Sequence, residues 1–230
     1  MSLIEDDNSS RDAARTTLIF LGDYVDRGPD SKGVVEWLIN VRRQRNLLAR
    51  DRFSPPPPPF SFLFLKGNHE HLLLTFLTDP AIGRFWLRHG GVETLLSYGV
   101  DNDVIERAAF QGEPWLTQAS EAFQALLPND HLRFYRGLEL CYRSGDYLFV
   151  HAGVNPKVPL NNQSEKDLLW IRDGFVNWPD DFAAVIVHGH TPGFTPVDLP
   201  TRIGIDTYAV DSGRLTALGL EGYRRWFLST

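Results

Sequence analysis

The stretch TTLIFLGDYVDRGP, residues 16–29, decides how the chain is read. Six β-forming residues from Thr16 to Leu21 stop at Gly22. Two carboxylates, Asp23 and Asp26, follow before Arg27 and a Gly28-Pro29 turn. A buried strand that ends in glycine and then presents charge suits a site at the carboxyl end of a sheet. The pattern recurs three times. FLFLKGNHE, residues 62–70, offers Asn68, His69 and Glu70 after its apolar run. YLFVHAG, residues 147–153, offers His151, and AAVIVHGHTP, residues 183–192, offers His188 and His190. Four strands thus each deliver a ligand-type side chain just past their last apolar residue, an arrangement that builds a metal centre.

At 230 residues with 43% apolar composition, the chain is long enough for one domain with a sizeable core. A net charge of −6 argues against nucleic acid as a partner, because phosphate backbones favour a basic face. The single cysteine, Cys141, excludes an intrachain disulfide framework and fits a reducing compartment. No apolar run approaches the length of a bilayer span, and the polar start with Glu5, Asp6 and Asp7 does not read as a signal peptide. The expectation is a cytoplasmic protein without a membrane partner.

In chain order, residues 1–15 read as a frayed lead-in, with SLIEDD as the tail of a helix as the other possibility. Asp30 or Ser31 caps a helix to about Ala49, with Val34, Leu38 and Val41 at helical spacing and Arg42, Arg43 and Arg45 toward water. Five prolines, 55–59, form a stiff loop; an SH3-type ligand is the alternative. Residues 71–140 read as a mainly helical insertion, broken at Asp79-Pro80 and Gly90-Gly91. A strand pair over 138–142 and 146–150 and a helical turn over 167–173 follow. The chain closes with an antiparallel meander over 202–205, 207–211 and 215–220. The fold class expected is α/β: a sandwich of two mixed β-sheets flanked by helices, in a single domain over 16–230.

GDYVDRG, GNHE, HAG, LLWIRD and HGHTP, in that order, resemble the PPP family of calcineurin-like metallophosphatases, which includes serine/threonine phosphoprotein phosphatases and, as close relatives, diadenosine tetraphosphatases. The resemblance runs from about Thr16 to Thr230, and WLRHGGVETLLSYG, DLLWIRDGF and GRLTAL are similar to its bacterial branch. It implies two divalent metal ions, with Asp23 as the bridging ligand and Asn68, His151 and His190 completing the second site. This mixed N/O donor set suits manganese, iron or zinc better than calcium. His69 is then the general acid, Asp26 its hydrogen-bond partner, and Arg27 and Arg172 clamp the phosphoryl oxygens, with Asn68 also near the substrate. A metal-bridging hydroxide would attack phosphorus directly, so no covalent phosphoenzyme is needed.

Taken singly these motifs have plainer readings. DxxDRG is as readily a polar turn, and His151 or His190 alone a satisfied strand-end histidine. Their joint order is what carries the assignment. His188 reads as packed or hydrogen-bonded, since Pro192 stands where a second ligand of a GHxH motif would be. His71, His89 and His131 read as structural or surface residues, and Glu70 as a hydrogen-bonding support.

The family's opening GDxHG block has no counterpart in residues 1–15, so the first metal site is expected to be incomplete and turnover by these 230 residues reduced. Met1 would then be internal to a longer protein. Tyr208 stands where many relatives have glycine. The activity implied first is hydrolysis of phosphoserine and phosphothreonine in phosphorylated proteins or peptides. The alternatives are a diadenosine tetraphosphatase-like or other small phosphoester hydrolase, and an inactive phosphatase-like binding module.

Overall fold

The computed structural model describes residues 1–11, 15–48 and 60–230, with side chains between 31 and 48 described to Arg43. The pentaproline stretch and Arg45 fall on residues or side chains outside this description. Two compact units divide the described chain. The first holds residues 1–11, 15–21, 60–65 and 139–230; the second holds 22–48 and 66–138.

The first unit carries all the strands found among the described residues: β1 (Thr16–Phe20), β2 (Phe60–Phe64), β3 (Cys141–Ser144), β4 (Tyr147–Val150), β5 (Val185–His188), β6 (Val197–Asp198), β7 (Arg202–Gly204), β8 (Thr216–Glu221) and β9 (Arg224–Ser229). β1 and β2 pair in parallel, Leu18 opposite Phe62. A mixed five-stranded sheet runs β3-β4-β5-β7-β6, in which β4, β5 and β7 are parallel neighbours. β8 and β9 form a hairpin.

Alternation along these strands splits the core into two layers. Phe149, Val187 and Ile203 point to one face, where they meet Leu65, Ile19 and Leu63 beside β1 and β2, and Leu218, Leu220 and Phe227 of the hairpin. Leu148, Val150 and Ile186 point to the other face, against Val154, Leu168 and Phe175. The last two belong to the short helices α9 (Glu165–Trp170) and α10 (Asp173–Val176), numbered by their place in the chain. This is the α/β fold of mixed sheets and helices that the sequence implies.

Three sequence expectations differ from the structure of this unit. Residues Ser2–Ser9 form a helix, α1, where a frayed lead-in was one expectation. Arg11, just beyond it, pairs with Asp7 and lays its guanidinium 3.6 Å over the ring of Trp226, which holds the segment on the hairpin. The closing meander is not formed. β7 joins β5 in parallel, residues Ala209–Ser212 make a helical turn, α11, and the antiparallel pair is β8 with β9, a strand the sequence reading did not assign. Tyr208 explains the break: at φ 60°, ψ 46° it is left-handed, and no strand passes through that conformation.

The second unit is helical: α2 (Ser31–Leu48), α3 (Asn68–Phe76), α4 (Gly83–Trp86), α5 (Gly91–Tyr98), α6 (Asn102–Gln111), α7 (Trp115–Leu126) and α8 (Asn129–Arg136). Its core gathers Phe76, Trp86, Leu95, Tyr98, Leu116 and Phe123, all buried, with Phe76 and Trp86 rings 5.0 Å apart. The Asp30 carboxylate accepts the Gly33 N–H at 2.8 Å near the start of α2, as a cap should. The inward stripe of α2 is Ser31, Val35, Leu38 and Ile39, not the stripe through Val34, which is exposed. Adjacent valines make either stripe possible in the sequence; packing on α5 and α8 selects the second. Arg42 and Arg43 do face outward, and Arg43 pairs with Asp130 of α8. His131 is buried, its Nδ1 2.7 Å from the Tyr98 hydroxyl, a structural role as the sequence implies.

Candidate metal and phosphate site

In the second unit the site begins at two glycines. Gly22 sits at φ 99°, and a Cβ there would lie 2.4 Å from the Gly67 nitrogen. A Cβ on Gly67 would lie 2.1 Å from Asp23 Oδ1. Two chain reversals can approach this closely only without side chains at those positions. Glu70 fastens the pair. Its Oε2 accepts the N–H groups of Gly67 at 2.8 Å and Asp23 at 2.9 Å, while Oε1 accepts Tyr24 N–H at 2.7 Å. The bond to Gly67 is half of a capping box that starts α3. Burial, followed by the Asp23 carboxylate, pushes the Glu70 pKa up to about 7 against the pull of its backbone donors. Glu70 therefore occupies its carboxylate in hydrogen bonds, the support role the sequence implies.

Asn68 and His69 occupy the first turn of α3, both buried, and the His69 N–H reaches Asp23 Oδ1 at 3.3 Å. The His69 ring lies 2.6 Å from Asp26 through Nδ1. Asp26 is held from three further directions. Trp86 Nε1–H donates to its Oδ2 at 2.8 Å, Thr94 Oγ1–H donates to its Oδ1 at 2.6 Å, and its own N–H donates to Thr94 Oγ1 at 2.9 Å and Ser31 Oγ at 3.1 Å. Burial pulls the His69 pKa down. The Asp26 hydrogen bond and the charges of Asp23, Asp26 and Glu70 outweigh it, and the pKa ends above the ordinary histidine value. Arg27 is exposed, its N–H donating to Gly90 O at 3.3 Å, where a Cβ on Gly90 would strike the Arg27 backbone.

Trp86 and Thr94 were not singled out from sequence, and Ser31 only as a candidate helix cap. WLRHGGVETLL gives Trp86 and Thr94 only as helix residues; no local pattern says that they face a carboxylate some 60 positions earlier.

The first unit positions three of the expected residues. His151 directly follows β4 and His190 lies two past the end of β5, and their rings are 5.1 Å apart. His151 Nδ1 lies 2.7 Å from the Leu21 carbonyl. A carbonyl only accepts, so the ring proton is on Nδ1 and the lone pair is on Nε2, the state a metal ligand requires. Gly189 N–H donates to His151 O at 2.8 Å and keeps the two histidine loops in register. Arg172 stands at the junction of α9 and α10, and its Nε–H donates to His190 Nε2 at 3.1 Å. His190 Nε2 is thereby an acceptor too. The His151 imidazole fits a divalent metal by tautomer as well as by residue type, and His190 would offer Nε2 to a metal in place of its bond from Arg172.

His188 is not part of this set. It is buried, donates from Nδ1 to Gly189 O at 3.0 Å, and packs edge-on to Phe175 at 4.9 Å. Burial depresses its pKa to about 4. The packed, hydrogen-bonded histidine expected from Pro192 is what the structure has.

Backbone conformation marks the same residues independently. Among the described residues, positive φ outside glycine occurs at Asp23 (59°), Asp26 (72°), Arg27 (55°), His190 (60°) and Tyr208 (60°). Each costs on the order of 1 kcal/mol or more in a side chain that prefers negative φ. Four of the five are residues singled out above for metal or phosphate chemistry. Strain gathered at functional positions is the usual reason for tolerating it.

An α/β fold with carboxylate, amide and imidazole donors on its strand-end loops is that of a metallophosphoesterase. The model of the calcineurin-like phosphoesterase family matches residues 7–223, and the chain belongs to that family. It is a phosphoesterase, a hydrolase of a family that works with divalent metal ions. It is similar to the asymmetrical bis(5'-nucleosyl)-tetraphosphatase PrpE of Anoxybacillus flavithermus, 27% identical over 87% of this chain and 74% of the relative. It is also similar to serine/threonine-protein phosphatase 1 of Salmonella typhimurium, 25% identical over 91% of this chain and 81% of the relative. A crystal structure provisionally described as a diadenosine tetraphosphatase shares the fold, with a TM-score of 0.60 at 20% identity over 98% of this chain and 86% of that one.

Proposed function

We propose that the chain hydrolyses the phosphoanhydride of a dinucleoside polyphosphate. Asp23 and Asn68 act with His151 and His190 to hold divalent metal ions, and Arg27 and Arg172 clamp the phosphoryl oxygens. The observation that carries the reaction class is the Asp26–His69 pair. A histidine whose Nδ1 is fixed at 2.6 Å from a buried carboxylate keeps a proton to give and presents Nε2 as the donor. The metal ions, when bound, supply an activated water and neutralise the phosphoryl charge. Water oxygen forms the new bond to phosphorus, the bond from phosphorus to the leaving oxygen breaks, and His69 passes its proton to that oxygen. The substrate reading draws on the relatives named for nucleosyl tetraphosphates.

One observation favours a second substrate, phosphoserine or phosphothreonine in protein. A general acid gains most when the leaving group is an alkoxide, and one relative is named as a serine/threonine-protein phosphatase. The test is turnover of diadenosine tetraphosphate and of a phosphoserine peptide side by side, with added manganese. A higher kcat/KM for the nucleotide is the expected result. Turnover confined to the peptide overturns the nucleotide reading. Equal rates in His69→Ala and the parent on both substrates overturn the general acid.

A further inference from the structure

Beyond His190 the chain builds a surface that the metal and phosphate residues do not use. β5 and β7 are parallel neighbours, so the loops leaving their carboxyl ends lie side by side. Ile205 N–H donates to His188 O at 2.9 Å and Gly193 N–H to Asp206 O at 3.0 Å, which joins the two loops just past the histidine. On one loop Phe194, four residues after His190, is 90% exposed. On the other, Tyr208 is 41% exposed. Its N–H donates to Asp206 Oδ1 at 3.0 Å, in a left-handed conformation that glycine would take without strain. Arg214 is exposed too, and its Nη1 donates to the Phe194 carbonyl at 3.5 Å, tying a positive charge to the same place.

We propose that Phe194 and Tyr208, with Arg214 beside them, form a platform on which the purine ring of a nucleotide substrate stacks while its phosphates reach His190. The inference rests on the nucleotide reading above and names the residues that select for it. Two exposed rings and a guanidinium on loops continuous with a histidine proposed to hold metal match a ligand that is flat at one end and anionic at the other. Glycine would make the same turn without strain, and the 41% exposure of Tyr208 leaves side-chain surface for a contact with substrate.

The test uses the full chain with manganese, in the parent, Phe194→Ala, Phe194→Tyr and Tyr208→Gly. Two quantities are read: the ratio of kcat/KM for diadenosine tetraphosphate to that for p-nitrophenyl phosphate, and calorimetric affinities for ADP and for pyrophosphate. In Phe194→Ala and Tyr208→Gly the ratio falls roughly tenfold, the scale of one lost stacking contact, and the preference for ADP over pyrophosphate shrinks equally. Phe194→Tyr restores both. Tyr208→Gly does so while raising the melting temperature, which separates lost recognition from lost folding. An unchanged ratio with unchanged ADP preference overturns the platform. So does a loss confined to phosphopeptide turnover, which would make the surface a protein contact. If the parent does not hydrolyse the dinucleotide yet binds ADP over pyrophosphate in a Phe194-dependent way, the substrate reading falls and the platform stands.

Discussion

The two sets of site residues are held by different means. In the helical unit two buried carboxylates are surrounded by donors: Asp26 by Trp86, Thr94 and the His69 ring, Glu70 by three backbone N–H groups. In the sheet unit the chemistry is carried by imidazoles, each with one partner: Leu21 O orients His151 and the Arg172 Nε–H donates to His190. The difference is one of desolvation. A buried carboxylate without donors loses several kcal/mol, so it needs a dedicated network of side chains. A neutral imidazole needs one acceptor to fix its tautomer, and any strand end provides that. The helical half should therefore be fragile to changes at residues that never touch substrate, and the sheet half to changes of residues proposed to touch metal or substrate.

The largest effect belongs to the residues proposed as metal ligands. Asp23→Asn and His190→Asn should each lower bound manganese and cut kcat/KM by about three orders of magnitude, since the metal contributes several kcal/mol to the transition state. Elemental analysis of the purified variants checks it; full metal content in both would overturn the metal roles of Asp23 and His190. Next comes His69→Ala. A drop of roughly 100- to 10,000-fold in kcat with little change in metal content is expected of a lost proton donor.

Trp86→Phe sharpens the contrast, because it alters only a support. Removing one hydrogen bond from the Asp26 carboxylate should lower stability by about 2 kcal/mol in denaturant unfolding and kcat by about tenfold. The support of His151 has no such variant, because there the acceptor is the Leu21 main chain. If Trp86→Phe leaves kcat and the unfolding midpoint unchanged, the network around Asp26 is not what aims His69.

The smallest effect is a pH dependence of stability from His188. Its pKa in the fold is about 4, against roughly 6.5 for an unconstrained histidine. The unfolded chain binds the proton more readily, so the contribution is fully present above about pH 6.5. It is lost as pH falls toward 4, by at most on the order of 3 kcal/mol. His188→Asn should flatten the slope between those values in urea unfolding at stepped pH.

Much of this was legible in the one-dimensional pattern. An apolar run, a glycine and then a ligand-type residue fixes a strand end and its chemistry together, because alternation and the turn residue are local properties. That is why β1, β2, β4 and β5, with Asp23, Asn68, His69, His151 and His190 beyond them, were readable, and why Pro192 correctly excluded His188. Packing was less legible. Val34 and Val35 both fit a helix stripe, and only the neighbouring helices chose Val35. Residues 207–211 look like strand, yet the left-handed turn at Tyr208 ends it.

The amino-acid order by itself determined the family, the strand-end residues and the type of donor each supplies, since these depend on near neighbours along the chain. Tertiary structure alone decided that Trp86, Thr94 and Ser31 surround Asp26, that Glu70 ties Gly67 to Asp23, and that Phe194 and Tyr208 lie on joined loops. The longest of those contacts span nearly 70 positions, and hydrogen bonding at such range leaves no periodic trace in sequence.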